Sequence, residues 1–543
     1  MTDTSQTPPA PEPEGPFSMP LAVSLAYMGA AVLIALGAGV GQGLISANIA
    51  QIAGDLGVTT SQASWLNVAY VVPRSCLPIL LIKIRTQYGL RRFVEASVIG
   101  YVLADFAAVW MSDLRSAVLV ECLSGASSAA LSTMAFLYML EPINQAWRLR
   151  LGLPMALCFL IMGPSLARVM SPVLIDDGGL MRLHVAALGT AMVSLASVFV
   201  LPLKPVPHMK VIHILDFISF SLIAVGFMAL ISGFVMGPIY WWTDAAWLGW
   251  MLVAGVFSLT LAVMVELRRK EPLLDVHWLM SPEMVHLTGA LLIFRIILSE
   301  QSTGAPRMFQ VLGIAPAQMT TLFSVICVFT FLGALSCVAW LKPTRVAAFH
   351  FAALCLIASG AWMDSQATID TRPEQMLISQ AMIAFAGMLF MPPAMAMGLI
   401  SAFRKGPQYI LSFIIVYIST QSVGGMIGSG LFTTLTNHLQ ALHYQVLTEQ
   451  LSLTRPVVSQ VLSAQMAALA PQIADPSALQ VQAVSQLSTE ASNQAYVLAY
   501  NDAYFLTFLL AVAAAVLLCL HVLRDWLASL PAFRSSLSAK VDP

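Results

Sequence analysis

Charged residues are scarce in this chain. Of its 543 residues only 10% are Asp, Glu, Lys or Arg, and 58% are hydrophobic, whereas soluble globular chains carry about 25% charged residues. The mean hydropathy is +0.81. These values exclude a soluble enzyme. They predict a polytopic helical membrane protein, because each membrane-spanning helix needs about 20 mostly apolar residues.

Other signals are missing as well. The formal net charge of −1 provides no basic surface for nucleic acid. Seven cysteines are present without a C-x-x-C pair, which favours free thiols over disulfides or a metal site. The phosphate-binding pattern G-x-x-x-x-G-K-[ST] does not occur, so an ATP-driven pump is not expected. We therefore predict neither an enzyme nor a metal protein.

The hydropathy pattern predicts fourteen membrane-spanning helices. Their approximate bounds are 21–46, 62–82, 93–111, 116–140, 151–175, 183–203, 214–236, 246–265, 285–303, 318–340, 346–362, 377–401, 408–434 and 503–523.

The distribution of basic residues supports this number of spans. If the N-terminus is cytoplasmic, Lys and Arg should follow the even-numbered spans, and eighteen of the 26 do so. Residues 1–20 are rich in proline and lack Lys and Arg, which indicates a disordered cytoplasmic tail rather than a signal peptide. Both termini are predicted to be cytoplasmic.

One segment on the opposite side is long. Residues 437–499 are rich in Gln, Ala, Leu and Ser and begin with a helix-like pattern, but Pro456, Pro471 and Pro476 interrupt them. The segment is predicted to be either a solvated loop with helical turns or a hairpin that docks a partner outside the membrane.

Four parts of the chain together resemble the fourteen-span drug:proton antiporter branch of the major facilitator superfamily, of the EmrB/QacA type. Their order and spacing carry the resemblance, which covers about residues 41–523. The matching stretches are 48–57 (NIAQIAGDLG) with 61–65 (SQASW), 271–276 (EPLLDV), 424–428 (GGMIG), and Thr436, Asn437, His438 and His443 with 498–502 (LAYND).

The resemblance implies an all-α polytopic fold with two six-helix bundles and two linker helices. It implies a multidrug efflux antiporter of the inner membrane, driven by the proton gradient without a cofactor. EmrB-like members work in the lipid bilayer with a periplasmic adaptor (a membrane fusion protein) and an outer-membrane channel. The implied divisions are a tail (1–20), an N-terminal bundle (21–205), linker helices (206–270), helices 9–13 (271–435), a periplasmic loop (436–500), the last helix (501–525) and a second tail (526–543).

The family motifs are degenerate here. Gly41 and Thr86 stand where the family has acidic residues in helix 1 and in the helix 2–3 loop, and Glu121 stands where helix 4 of the family has a basic residue. The positions to which the resemblance assigns gating or structural roles are Gly89, Arg91, Arg92, Gly125, Gly163, Pro164, Gly424, Gly425 and Gly428. Of these, Gly163 and Pro164 stand one helical turn earlier than in the family's helix 5 motif, and Arg168 falls at the first Pro of that motif.

Three ionisable residues at one membrane depth predict a proton-coupling site. Glu121 on helix 4 and Arg168 on helix 5 each lie about eight residues from the same membrane face, and so does Asp105 on helix 3. A lone charge in the membrane costs about 2.5–3.5 kcal/mol. We therefore expect Glu121 to pair with Arg168, either as a purely structural bridge or with Asp105 competing for the same Arg and one carboxyl taking up a proton.

Three further charges lie within predicted spans. Arg74, Arg295 and Glu300 are candidate substrate-binding residues, and the two arginines would favour anionic or zwitterionic substrates. The alternative is that the arginines pair with Asp105 or Glu300, or extend towards the membrane surface.

Three functions are compatible with these observations. The first is a secondary transporter that exports small amphipathic compounds by proton antiport and alternating access. The second, suggested by Gly41 and Thr86, is an uncoupled facilitator or exchanger of anionic compounds. The third is a degenerate transporter that acts as a membrane scaffold or sensor through its long external segment.

Overall fold

The computed structural model describes residues 15–175, 179–203, 210–452 and 455–529. Most of the two predicted cytoplasmic tails lies outside these residues. The regular secondary structure of the described residues is helical, and their only β-type pairing is one isolated bridge between Phe17 and Ile143.

Fourteen long helices correspond to the fourteen predicted spans. They are α1 (Leu21–Ala47), α2 (Trp65–Tyr88), α3 (Leu90–Ala108), α4 (Leu114–Leu140), α5 (Leu153–Ile175), α6 (Gly179–Val200), α7 (Ile214–Tyr240), α8 (Ala246–Leu267), α9 (Pro282–Ile297), α10 (Thr320–Trp340), α11 (Val346–Asp364), α12 (Leu377–Lys405), α13 (Pro407–Gln450) and α14 (Pro476–Ser529).

Thirteen of these helical regions are long and apolar enough to cross a membrane. The remaining helix is α3, which has 19 residues and carries four charged side chains, Arg91, Arg92, Glu95 and Asp105. It packs against α4 and α6 in the position of the third predicted span. The chain is therefore a multi-pass α-helical membrane protein, and the predicted fold class is confirmed.

Local signals separate the helices where the sequence places its turns. Gly89 joins α2 to α3 with a φ of 84°, a conformation that glycine adopts without steric cost. Asp113 begins α4 by accepting a hydrogen bond from the Ser116 amide at 3.1 Å. The hydrogen bonds from Ser116 lower the pKa of Asp113, so this cap remains an anion at the positive end of the α4 dipole.

The helices form two groups with a pair between them. Helices α1–α6 contact one another, as do α9–α14, while α7 and α8 pack together. Helix α7 also contacts α2 of the first group and α13 of the second. The two groups meet directly where α5 packs on α10 and α2 packs on α13.

The α5–α10 contact is fastened at the predicted cytoplasmic end. Arg150, just before α5, donates hydrogen bonds to the carbonyl oxygens of Val338 at 2.7 Å and Ala339 at 2.5 Å, both in the last turn of α10. A guanidinium at a helix C-terminus satisfies free carbonyls and is favoured by the helix dipole. Arg150 therefore joins the two groups at this end.

Glycines allow the closest helix approaches. At Gly163 on α5 an added Cβ would lie 2.5 Å from the Gly39 Cα on α1, and at Gly428 on α13 it would lie 3.0 Å from the Ile296 Cα on α9. Pro164 also lies on this α1–α5 surface, because a Cβ at Gly43 would lie 2.7 Å from the Pro164 Cα. These positions bring helix backbones into contact.

Gly125→Ala is expected to destabilise the protein by about 1–3 kcal/mol, the cost of overpacking a tight core. A Cβ at Gly125 on α4 would lie 2.1 Å from the Tyr70 carbonyl oxygen on α2, so the helices must separate. Denaturant unfolding in detergent, followed by tryptophan fluorescence, measures the change. Gly189→Ala on α6 is the matched control because its Cβ meets nothing within 4 Å, and unchanged stability in Gly125→Ala would contradict this packing.

The segment predicted as a periplasmic loop is mostly helical. Helix α13 continues without a break to Gln450, a separate helix spans Pro456–Leu469, and α14 begins at Pro476. With 44 and 54 residues, α13 and α14 are about 66 and 81 Å long, far more than the roughly 30 Å hydrocarbon core of a bilayer. Side-chain hydrogen bonds tie them together beyond the membrane, as between Tyr444 and Ser488 at 2.8 Å.

Candidate functional site

Arg74 is placed where α2 meets the second group of helices. The neighbouring Ser75 accepts a hydrogen bond through its carbonyl oxygen from the Ser419 hydroxyl of α13, at 2.6 Å. The Arg74 guanidinium donates to the Gln42 side chain of α1 and lies 5.9 Å from the centre of the Tyr70 ring. Its Nε atom is buried without a hydrogen-bond partner.

Arg295 approaches the same region from α9. Its guanidinium lies on α13, because a Cβ at Gly425 would lie 3.1 Å from Arg295 Nη2 and one at Gly424 would lie 3.3 Å from Arg295 Cγ. The two glycines therefore make space for this side chain. Arg295 Nε is also buried without a hydrogen-bond partner.

The two arginines lie near each other without a balancing acid. The charge of Arg74 acts unfavourably on that of Arg295, and within residues 15–175, 179–203, 210–452 and 455–529 neither forms an ion pair. The alternative that they pair with Asp105 or Glu300 is therefore wrong. Two half-buried guanidiniums therefore lie in this region, one from each group of helices, each with an Nε–H group that has no hydrogen-bond partner.

A second cluster surrounds Tyr70. The Tyr70 hydroxyl donates to the Ala38 carbonyl oxygen of α1 at 3.1 Å, and the ring lies within electrostatic range of Arg74, Glu121 and Asp105. Asp105 on α3 is buried, with 8% of its surface exposed, and its Oδ2 atom has no hydrogen-bond partner. Glu121 on α4 lies within electrostatic range of Asp105 and of Tyr70.

The predicted ion pair between Glu121 and Arg168 is not formed. The Arg168 guanidinium lies 5.1 Å from the centre of the Phe323 ring on α10, and no ion pair involves it in the described chain. The pair was predicted from equal depth and from the cost of a lone charge, and neither determines which way a side chain points around its helix axis. A cation–π contact, worth about 2 kcal/mol when desolvated, balances part of the cost of burying Arg168.

Glu300 lies apart from the two arginines. It begins a π-helical turn, Glu300–Gly304, that follows α9, and it is fully buried. Its carboxyl group faces that of Asp364 at the end of α11. The substrate contact predicted for Glu300 stays a prediction, and this placement does not put it beside Arg295.

A buried charge network occupies the predicted cytoplasmic end, near the loop that lacks the family acid at Thr86. Lys83 of α2 contacts Asp216 of α7 at 2.7 Å, and Arg269 after α8 contacts both Asp216 and Glu266. Glu266 also accepts a hydrogen bond from the Leu274 amide at 3.1 Å. The linker helices α7 and α8 thereby hold the end of α2.

The network around Asp216 keeps the Arg269 guanidinium protonated. Burial alone would lower the pKa of Arg269, but its hydrogen bonds to Asp216 and Glu266 raise the pKa above its ordinary value. The guanidinium therefore remains protonated at all physiological pH values. The network carries two cations and two anions in a buried setting, and each charge has a partner.

The basic residues of the helix 2–3 loop are arranged differently. Arg91 contacts Glu95 at 2.9 Å, one helical turn away. Arg92 is exposed at one end of a groove of about 420 Å³ between α2, α3 and α4. No group of three or more His, Cys, Asp or Glu in the described residues is placed to hold a metal ion.

Sequence reasoning missed several residues of these sites. Tyr70 and Gln42 were overlooked because an aromatic or amide side chain in an apolar helix carries no distinctive pattern. Asp364 was overlooked because it follows the predicted eleventh span and resembles a loop residue. Asp216 was overlooked because it pairs with Lys83, which lies 133 residues earlier in the chain, and periodicity does not reveal such a long-range contact.

Comparisons with known proteins identify the fold. No protein-family model matches the sequence, and no curated protein matches it. The structure is similar to the human organic anion transporter MFSD10 (TETRAN), with a TM-score of 0.53 and 11% identity over 90% of this chain and 98% of that chain. It is similar to the proton:xylose symporter XylE bound to 6-bromo-6-deoxy-D-glucose, with a TM-score of 0.52 and 11% identity over 90% of this chain and 95% of that chain.

These two similarities show the fold of the protein. It is a multi-pass membrane protein with the fold of major facilitator superfamily transporters. The drug:proton antiporter branch that the sequence resembles stays a prediction.

Proposed function

We propose that this chain is a secondary transporter of small amphipathic organic compounds that carry a negative charge. The observation that carries the proposal is that Arg74 on α2 and Arg295, which lies against α13, are placed where α2 and α13 meet, with no acidic partner at either guanidinium among the described residues. An anion between them would be held by both groups at once.

The energetics favour a binding role for these arginines. A single charge within a membrane helix costs about 2.5–3.5 kcal/mol, and two adjacent like charges cost more. Arginine presents a planar fork of donors that matches a carboxylate or phosphate. A bound anion cancels the repulsion and satisfies the free N–H groups, so substrate binding and closure of the two groups stabilise each other.

We further propose that Asp105 and Glu121 couple proton movement to transport. The buried carboxyl group of Asp105 and the half-buried one of Glu121 cannot both ionise cheaply when they are near one another, so one of them takes up a proton. Export, an inner-membrane location, a periplasmic adaptor and an outer-membrane channel belong to the same proposal. They follow from the resemblance to EmrB-like antiporters.

The test uses the purified full chain in liposomes that contain a pH-sensitive dye. With an imposed pH gradient, anionic amphiphiles are expected to move and to drive protons in the opposite direction, whereas cationic amphiphiles of similar size are not transported. Glu121→Gln and Asp105→Asn are expected to abolish the substrate-driven pH change. Asp244→Asn, an exposed acid between α7 and α8, is the matched control and should behave like the unmodified protein.

Other outcomes select other functions. Anion movement without a pH change would favour the uncoupled exchanger, which agrees with Gly41 and Thr86 in the place of the family acids. Movement of cations in preference to anions would overturn the role given to Arg74 and Arg295. Movement of neither, from correctly folded protein, would favour the scaffold or sensor.

A further inference from the structure

The second group of helices buries an acid pair of its own. Glu300 is 0% exposed and Asp364 is 2% exposed, and the two carboxyl groups face each other between the end of α9 and the end of α11. Neither acid forms an ion pair within the described chain. The pair therefore lacks the cation that would allow both groups to ionise.

The hydrogen bonds are distributed unequally between the two acids. Asp364 accepts from the Ser379 hydroxyl and, at 2.7 Å, from Gln380 Nε2 of α12. Both carboxyl oxygens of Glu300 are buried and receive no hydrogen bond from a conventional donor. This asymmetry suits an ionised Asp364 and a protonated Glu300, whose O–H group donates to Asp364.

Gln380 provides a second and independent observation. It is 0% exposed, and its Nε2 atom is fixed by Asp364, so its amide group lies at the pair. Its Oε1 atom has no hydrogen-bond partner. An unpaired buried acceptor beside two carboxyl groups indicates a place where a mobile hydrogen-bond donor is bound.

The helices that pack on the turn at Glu300–Gly304 supply mostly aromatic side chains. Helix α14 supplies the Tyr504 phenol, which lies within range of both acids, and α13 supplies the Phe432 ring against Gly304. The short helix Ala305–Val311 supplies Arg307, whose charge acts on Tyr500. These contacts provide no counter-ion for the pair.

We propose that Glu300, Asp364 and Gln380 form a proton-binding site in the second group of helices, holding one proton shared by the two carboxyl groups. The proton leaves Glu300 for water, and the pair then gains one negative charge. Two facing anions repel, so release favours separation of the α9 turn from α11. The proposal extends the proposed function, because Asp105 and Glu121 supply a corresponding site in the first group.

The positions of the two acid pairs support the proposal that each group of helices contains a proton-binding site. Asp105 lies near the end of α3, the third helix of the first group, and Asp364 ends α11, the third helix of the second group. Halves of this fold are related by an axis along the membrane normal, so the two aspartates occupy corresponding helices. Each group then carries its acids towards the predicted external face.

Infrared difference spectroscopy tests the site without requiring transport. The full chain in liposomes is compared at neutral and alkaline pH through the C=O stretch of protonated carboxyl groups. The unmodified protein is expected to lose a buried band on alkalinisation, and Glu300→Gln is expected to lose the intensity of one carboxyl at neutral pH. In Asp364→Asn the band should disappear at a lower pH than in the unmodified protein, because Glu300 then has no neighbouring anion to oppose its ionisation.

The same infrared spectra provide the control and the results that would contradict the proposal. Glu374→Gln, an exposed acid at the same end of the second group, should leave the band unchanged. Unmodified band intensity in Glu300→Gln would overturn the proposal even if anion transport is confirmed. If Glu300→Gln does not fold, Asp364→Asn alone decides, since a band that disappears at the same pH as in the unmodified protein would place the proton elsewhere. A band that disappears on adding Na⁺ at constant pH would identify a cation site instead.

Discussion

Asp216→Ala is expected to lower the free energy of unfolding by about 3–5 kcal/mol, the cost of breaking a buried ion pair from one side. Asp216 is fully buried between Lys83 and Arg269. Its removal leaves Lys83 without a carboxylate, and Arg269 retains only Glu266. Denaturant unfolding in detergent measures the change, together with the amount of monodisperse protein recovered.

The exposed pair between His213 and Glu271, 3.3 Å apart, provides the matched control. Both side chains are largely accessible to solvent, and exposed ion pairs contribute little because water screens them. Glu271→Ala is therefore expected to leave unfolding almost unchanged. Equal effects of the Asp216 and Glu271 substitutions would show that the network around Asp216 is not buried as described.

Arg295→Gln is expected to weaken binding of anionic substrates by about tenfold to hundredfold. This range corresponds to the loss of one charge-assisted hydrogen bond, worth about 1.5–3 kcal/mol. The same substitution removes the repulsion from Arg74, so the substrate-free protein should become more stable. Substrate binding by the purified protein and its thermal unfolding midpoint measure these opposite changes.

Two variants distinguish a binding role from a packing role. Arg295→Lys keeps the charge and should retain more affinity than Arg295→Gln. If Arg74 and Arg295 hold one anion, the effects of Arg74→Gln and Arg295→Gln will not add in the double variant. Additive losses, or a substrate-free protein that becomes less stable in Arg295→Gln, would contradict the shared site.

The helices were predictable from the sequence because hydrophobicity is a local property. Each span of about 20 apolar residues is visible by itself, and the alternating basic turns fixed the number of spans. The extent of helix in the segment at residues 437–499 was underestimated for a related reason. Its Gln, Ala and Leu residues are good helix formers, but their polarity removed them from a search for apolar spans, and α13 and α14 continue through them.

The candidate sites were predictable only in part. The sequence identifies buried charges by their position within a span, which found Arg74, Arg295, Asp105 and Glu121. It does not give their rotation about the helix axis, and so the partner assigned to Glu121 was wrong. The pairing of Glu300 with Asp364 depends on contacts between helices that are far apart in the sequence. No local sequence pattern indicates such a pairing.

Because α13 and α14 extend without a break beyond the membrane, movements of these helices within the membrane are transmitted to their outer ends. A helix without a hinge transmits a rotation along its whole length, and α14 has 54 residues, or about 81 Å. A tilt of about 10° within the membrane would displace a point about 40 Å further along the helix by about 7 Å, given the rise of a straight helix. Rearrangements of the second group, small at the depth of Arg295, are thereby magnified outside the bilayer, where a reporter attached near residue 470 would register them.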